Sequence, residues 1–163
     1  MIVVTPFAGD QSDMDKIAAL HLEIRQWQES AGQNKFADIY DSQKDLTNLQ
    51  EFYIESGGNF FVARNNETSE LVGFVALKND SNGRGEVKRL AVKPAYQRQR
   101  IATRLTDELM NWARVNGFAK FTLSTNRDEH AMAIYQRLGF EIVGYDETNE
   151  DHLMKLEWED GAE

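Results

Sequence analysis

The sequence predicts a mixed α/β (α+β) domain, with a mostly antiparallel sheet of about six to seven strands, one parallel pair, and about four flanking helices. Three observations predict it. Two apolar runs, Asn59 to Arg64 and Leu71 to Lys78, are joined by the polar turn Asn65 to Glu70, which reads as a hairpin, and a third strand, Glu86 to Val92, follows it. From Arg100 the apolar period changes to 3.6 and holds until Gly117. A strand at Phe118 to Ser124 comes after that helix, so it can lie parallel to Glu86 to Val92 through a right-handed crossover.

The remaining elements follow in order. Met1 to Thr5 reads as a first strand stopped by Pro6, and Ser12 with Asp15 resembles an N-cap and its capping partner. Ile17, Leu20, Ile24 and Trp27 recur at helical spacing, so a helix from about Asp13 to Glu29 presents one stripe to the sheet and ends near Gly32. Residues 31 to 43 are weakly periodic. Leu46, Leu49, Phe52 and Tyr53 mark a second helix that stops before Gly57-Gly58. Asn79 to Gly85 is a turn-rich loop. The strongest helix, from Arg100, carries Ile101, Leu105, Leu109 and Trp112 on one face, with Gly117 at the expected C-cap. Asp128 to Leu138 is a last helix closed by Gly139, and Phe140 to Tyr145 with Leu153 to Trp158 make a final hairpin.

Residues 1–163, 41% hydrophobic and 28% charged, fit a single domain. No run reaches the roughly 18 apolar residues a membrane span needs, and Met1 to Phe7 lacks the basic flank of a secretion signal, so a cytoplasmic location is expected. The chain has no cysteine, which excludes disulfides, thiolate metal sites and cysteine nucleophiles. Its net charge of −9 disfavours nucleic acid and anionic membranes as partners and favours small cationic amines.

The distribution of charge says more than its sum. Six of the 18 cations, Lys88, Arg89, Lys93, Arg98, Arg100 and Arg104, lie within residues 87 to 104, where there is no Asp or Glu. Such a stretch is either a solvated face or an anion site. The backbone context favours the anion, because a strand that feeds a helix through Tyr96-Gln97-Arg98-Gln99-Arg100-Ile101-Ala102 presents N–H groups at the positive end of a helix dipole. Cations there oppose the dipole unless an anion sits among them.

At this corner, Leu90-Ala91-Val92-x-Pro94-x-x-Gln97-x-x-Arg100-Ile101-Ala102 resembles the acyl-CoA signature of the GNAT superfamily of N-acetyltransferases. A second stretch, Ala131-x-x-Ile134-Tyr135-x-x-Leu138-Gly139-Phe140, resembles that family's later motif, and the order of elements is similar throughout. The resemblance implies acetyl-CoA as co-substrate and an acyltransferase enzyme that acetylates a primary amine, on a small molecule or a protein, by direct attack in a ternary complex. The alternative is a non-catalytic acyl-CoA-binding or regulatory module of the same fold. The implied cofactor-binding residues are Leu90, Ala91, Val92, Gln97, Arg98, Gln99, Arg100, Ile101, Ala102 and Asn126, with the pantetheine arm pairing like a strand with Leu90 and Val92 and a backbone N–H there polarising the thioester carbonyl. Two departures stand out. Arg100 replaces the loop's usual glycine, so its side chain either crowds or grips the pyrophosphate. Asp128 stands where relatives carry Asn, and Asn126 is the substitute.

Tyr135 resembles the family's general acid, able to protonate a thiolate whose reference pKa of about 8.5 lies below its own of about 10. As a residue on an apolar helix face it reads equally as core. An amine nucleophile arrives protonated, so a carboxylate must take its proton. Glu86, opening the strand that leads to the thioester, is the first candidate, and Asp128, Glu129 and His130 form a second cluster. His21 and His152 have no ligand-pair spacing, and no metal is expected. The acceptor's identity and the oligomeric state stay open, a homodimer included.

Overall fold

The computed structural model describes residues 1–30, 44–125, 129–148 and 150–158, and of Glu129 the backbone only. The strands are β1 (Ile2–Pro6), β2 (Asn59–Asn65), β3 (Leu71–Ser81), β4 (Arg84–Val92), β5 (Lys120–Thr125), β6 (Glu141–Asp146) and β7 (Asp151–Glu157). The helices are α1 (Gln11–Ser30), α2 (Lys44–Thr47), which leads into a π-helical segment at Gln50–Glu55, then α3 (Ile101–Val115) and α4 (Glu129–Leu138). Among the described residues the strands form one sheet in the order β1-β2-β3-β4-β5-β7-β6. Every neighbouring pair is antiparallel except β4 and β5. The mostly antiparallel sheet with one parallel pair is therefore as the sequence predicts.

Two apolar clusters cover the two faces. On one, α3 presents Ile101, Leu105 and Leu109 to Val72, Val75, Leu77, Phe121 and Leu123, with Tyr135 and Phe140 completing it. On the other, Ile17, Leu20 and Ile24 of α1 and Leu46, Leu49 and Tyr53 pack on Phe60, Val62, Phe74 and Ala76. A strand buried on both faces cannot alternate, and β3 is apolar and buried from Leu71 to Leu77.

Several boundaries differ from the sequence reading for physical reasons. The cap of α1 is Asp10, not Ser12: its Oδ1 accepts from the Ser12 N–H at 2.9 Å, so the helix starts at Gln11. Trp27 is 38% exposed and leaves the buried stripe, while His21 joins it at 6%. The expected loop Asn79 to Gly85 is mostly strand, because Ser81, Asn82 and Gly83 take positive φ and turn the chain tightly enough for β3 and β4 to pair up to Ser81 and Arg84. Residues 31 to 43, Asn126, Arg127 and Asp128 lie outside the described residues, and with them the expected start of the last helix and the end of the first at Gly32.

One detail of the sheet positions the site. The parallel pairing of β4 with β5 covers only Arg84–Lys120, Gly85–Phe121 and Glu86–Thr122. Beyond Glu86, β4 has no partner on that side among the described residues, and the sheet splays open. Arg89, at φ 64°, is an extra residue in the β4 ladder between the pairs Ala76–Lys88 and Phe74–Ala91. Such a bulge bends its strand and re-aims its side chains.

Candidate functional site

At the C-terminal end of β4, Pro94–Tyr96 form a single 3₁₀ turn that leads into the start of α3. Gln97 donates from Nε2 to the Val92 carbonyl at 3.2 Å and ties the loop back to the strand. Arg98 and Arg100 then both take left-handed backbone conformations, at φ 63° and 61°, and Arg100 is the N-cap of α3 without a side-chain cap bond. The first bond of the helix runs from the Arg104 N–H to the Arg100 carbonyl at 3.0 Å. The N–H groups of residues 98–103 therefore have no protein acceptor among the described residues. Successive N–H groups in such alternating backbone form a concave anion site, here at a helix N-terminus.

Left-handed backbone costs a side-chain-bearing residue roughly 1–2 kcal/mol, so this loop holds arginines where glycine would be relaxed. Their guanidinium groups are exposed, and Arg98, Arg100 and Arg104 form no ion pair among the described residues. Two other cations of the basic stretch are committed elsewhere. Lys93 donates to Glu70 at 2.6 Å, and Arg89 is bound to Asp45.

A cleft of about 450 Å³ runs from this loop along β4, lined by Leu90, Ala91, Val92, Gln97, Arg98, Arg100, Ile101, Ala102, Thr103, His130, Ala131 and Ile134 among others. Nearly all the cofactor-binding residues expected from the sequence thus share one wall; Gln99 lies in the same loop, and Asn126 is outside the described residues. A second cleft of about 380 Å³ adjoins it at the splay and shares Ile24, Gln28, Leu90, Ala91 and Ala131 with it. Lys88 and Arg89 of β4, Ser124 and Thr125 of β5, Tyr135 of α4 and Asp151 of β7 complete its walls, together with His21 and Arg25 of α1.

Tyr135 is buried, 7% exposed, with its ring edge-on to Phe140 at 6.0 Å, and it still reaches the second cleft. Glu86 does not line either cleft; it sits at the last parallel rung, between Lys78 and Thr122. Among the described residues that line the second cleft, the carboxylate is Asp151. Burial, and then the charge of Asp146, push its carboxyl above the usual range. His130 is exposed and lines the first cleft.

A buried network supports the second cleft from behind. The Arg89 bulge aims its guanidinium at α2, where Nε and Nη2 donate to Asp45 at 2.9 and 2.7 Å. The Tyr53 hydroxyl donates to the same carboxylate at 2.6 Å. Burial opposes ionisation of Asp45, yet these hydrogen bonds outweigh it and hold its carboxyl below the usual range. Burial, and then its bond to Asp45, raise the Tyr53 hydroxyl. Arg89 Nη1 lies 3.5 Å from His21 Nε2, which must be the acceptor because a guanidinium can only donate. Burial, and then the charges of Arg89 and Arg25, push His21 down to about 4. The sequence reading missed this network and Asp151, since Asp45 and Arg89 are 44 positions apart and no local pattern joins them.

A helix start with unpaired N–H groups thus lies beside a splayed parallel pair, and the model of the acetyltransferase (GNAT) family matches residues 19–140. This chain belongs to that family. The GNAT match takes in the loop at Gln97 to Ala102, the splay and Tyr135. Among curated proteins, N-acetyltransferase family 8 member 2 of Rattus norvegicus is 31% identical over 109 residues, 63% of this chain and 47% of that protein. N-alpha-acetyltransferase 30 of Schizosaccharomyces pombe is 33% identical over 60% of this chain and 71% of that protein. The chain thus spans about half the length of the mammalian relatives it matches. Among solved structures, a GNAT-family acetyltransferase of Staphylococcus aureus superposes with a TM-score of 0.80 at 21% identity, covering 96% of this chain and 99% of that one. The PaiA N-acetyltransferase of Thermoplasma acidophilum, solved in complex with coenzyme A, gives 0.75 at 20% identity, covering 97% and 99%.

Proposed function

We propose that this chain transfers an acetyl group from acetyl-CoA to a primary amine by direct attack in a ternary complex. The observation that carries the reading is the continuity of the two clefts: an anion-binding loop and an open strand edge lead, through shared residues, to a chamber that holds a tyrosine and a carboxylate. The family match and the relatives named as N-acetyltransferases support it.

The free N–H groups of residues 98–103, with Arg98 and Arg100, fit the phosphates of acetyl-CoA. The unpaired edge of β4 at Leu90 to Val92 fits the pantetheine arm, which would complete the missing rung of the splay. Asp151 takes the proton of the acceptor ammonium. The neutral amine attacks the thioester carbon, the C–N bond forms and the C–S bond breaks. Tyr135 gives its hydroxyl proton to the departing CoA sulfur, and the second proton that the attacking nitrogen loses on forming the amide restores the phenol through solvent, so that the products are the amide, free CoA and the one proton held by Asp151.

The carboxylate is assigned to Asp151 rather than Glu86 because Asp151 lines the chamber and Glu86 is set back at the last parallel rung. Asp151→Asn is expected to lower kcat on the order of tenfold or more at neutral pH, with the deficit shrinking as pH rises and more acceptor arrives neutral. Glu86→Gln is expected to lack that pH-dependent recovery. The opposite pattern reassigns the base to Glu86.

A second reading, an acyl-CoA-binding or regulatory module without turnover, is favoured by one observation: Arg98 and Arg100 put side chains and backbone strain into the phosphate loop. Thiol release from acetyl-CoA, with and without a panel of amines, separates the two. Amine-dependent release supports the transferase, and acetyl-CoA binding without release under any amine supports the module.

A further inference from the structure

The chamber at the splay holds two charged side chains that form no ion pair among the described residues. Lys88, half-buried on β4, forms no ion pair or side-chain hydrogen bond among the described residues, whereas the neighbouring Arg89 is held by Asp45 and Lys93 by Glu70. Asp151, half-buried at the start of β7, likewise has no ion-pair partner there. They face one chamber of about 380 Å³ from β4 and β7, yet do not come within ion-pair distance of each other. A half-buried charge without a partner is costly, and a ligand of opposite charge offsets that cost.

We propose that the acceptor is a free α-amino acid, bound as a zwitterion with its ammonium toward Asp151 and its carboxylate toward Lys88. The proposal rests on the acetyl-transfer reading and names its substrate class. It also departs from the cationic amines that the net charge of −9 suggests, because the chamber's own walls, not the distant surface, set the local field. A polyamine would bring a second cation toward Lys88 and Arg89, whereas a carboxylate beside the amine complements them. The ammonium of the amino acid meets the group that must deprotonate it, so one contact serves both binding and proton transfer.

The test measures CoA release and acetyl-CoA binding on the same protein with matched acceptors: an α-amino acid, its carboxamide, the corresponding decarboxylated amine, a dipeptide and a polyamine. The amino acid is expected to exceed the carboxamide and the decarboxylated amine in kcat/KM on the order of a hundredfold. Lys88→Gln is expected to cut the ratio of kcat/KM for amino acid over carboxamide about tenfold or more, a ratio that partial misfolding does not move. Equal use of the carboxamide, or preference for the dipeptide or the polyamine, overturns the proposal while leaving acetyl transfer intact. Acetyl-CoA binding measured by calorimetry with no CoA release for any acceptor overturns both. Should the Lys88 variant not fold, the acceptor panel on the native chain decides alone.

Discussion

The corner at the start of α3 and the chamber at the splay are neighbours that differ in how the chain builds them. The corner comes from one unbroken stretch, Val92 to Thr103, and the groups it presents are backbone N–H groups at a helix start. The chamber is assembled from side chains of α1, β4, β5, α4 and β7 and braced by the Arg89–Asp45–Tyr53 network. A site made of backbone tolerates changes of side chain, as the arginines at left-handed positions illustrate. A site made of distant side chains depends on the packing that brings them together. Substitutions in the chamber should therefore act more strongly, and more variously, than those in the corner.

The largest expected effect is on the brace. Asp45→Ala leaves the Arg89 guanidinium without its buried carboxylate and is expected to cost about 3 kcal/mol in urea unfolding. A loss under about 1 kcal/mol would mean that the chamber does not depend on this network. Next comes the chemistry of the chamber. Tyr135→Phe keeps the ring and its edge-on contact with Phe140, so circular dichroism should be native-like while kcat falls on the order of a hundredfold. Full activity would remove Tyr135 from the reaction and leave it as core.

The corner should respond more mildly, and with two opposite signs. Replacing Arg98 and Arg100 with Ala is expected to weaken acetyl-CoA binding about tenfold, about 1.4 kcal/mol. Replacing Arg100 with Gly removes the charge but relaxes a φ of 61°, so thermal unfolding should show a gain of about 1 kcal/mol while affinity still drops. Unchanged affinity in both variants would show that the backbone N–H groups alone hold the phosphates.

The smallest effect is on pH dependence. His21 has a pKa of about 4 in the folded chain and about 6.5 when unfolded, so between those values the unfolded state binds the extra proton. Its contribution to stability is present above about 6.5 and is lost as pH falls toward 4. The stability difference between the native chain and His21→Gln, measured by urea unfolding at pH 7 and pH 4.5, should shrink at the lower pH. A difference independent of pH would mean that His21 titrates alike in both states.

The same contrast explains what was legible in the sequence. The apolar strand runs with their polar turn, the α3 period and Gly117 depend on neighbours close in sequence, and they yield the sheet with its parallel pair. The concern over Arg100 was also readable, since a glycine position signals positive φ, and Arg100 takes φ 61°. Local pattern could not reveal that Asp10 outcompetes Ser12 as a cap, or that Trp27 turns outward while His21 turns in. Asp151 carries no signal in its own segment; it matters only because β7 inserts between β5 and β6 and brings the start of that strand to the splay.

In the proposed complex, acetyl-CoA lies with its phosphates on the Arg98–Thr103 loop and its arm along β4. Backbone amide NMR during titration with acetyl-CoA tests it most directly. The expected result is that the largest shifts fall on residues 98–103 and on Leu90 to Val92, at the two clefts. Binding that leaves those amides unmoved and shifts another region, or no binding at millimolar acetyl-CoA, would contradict it.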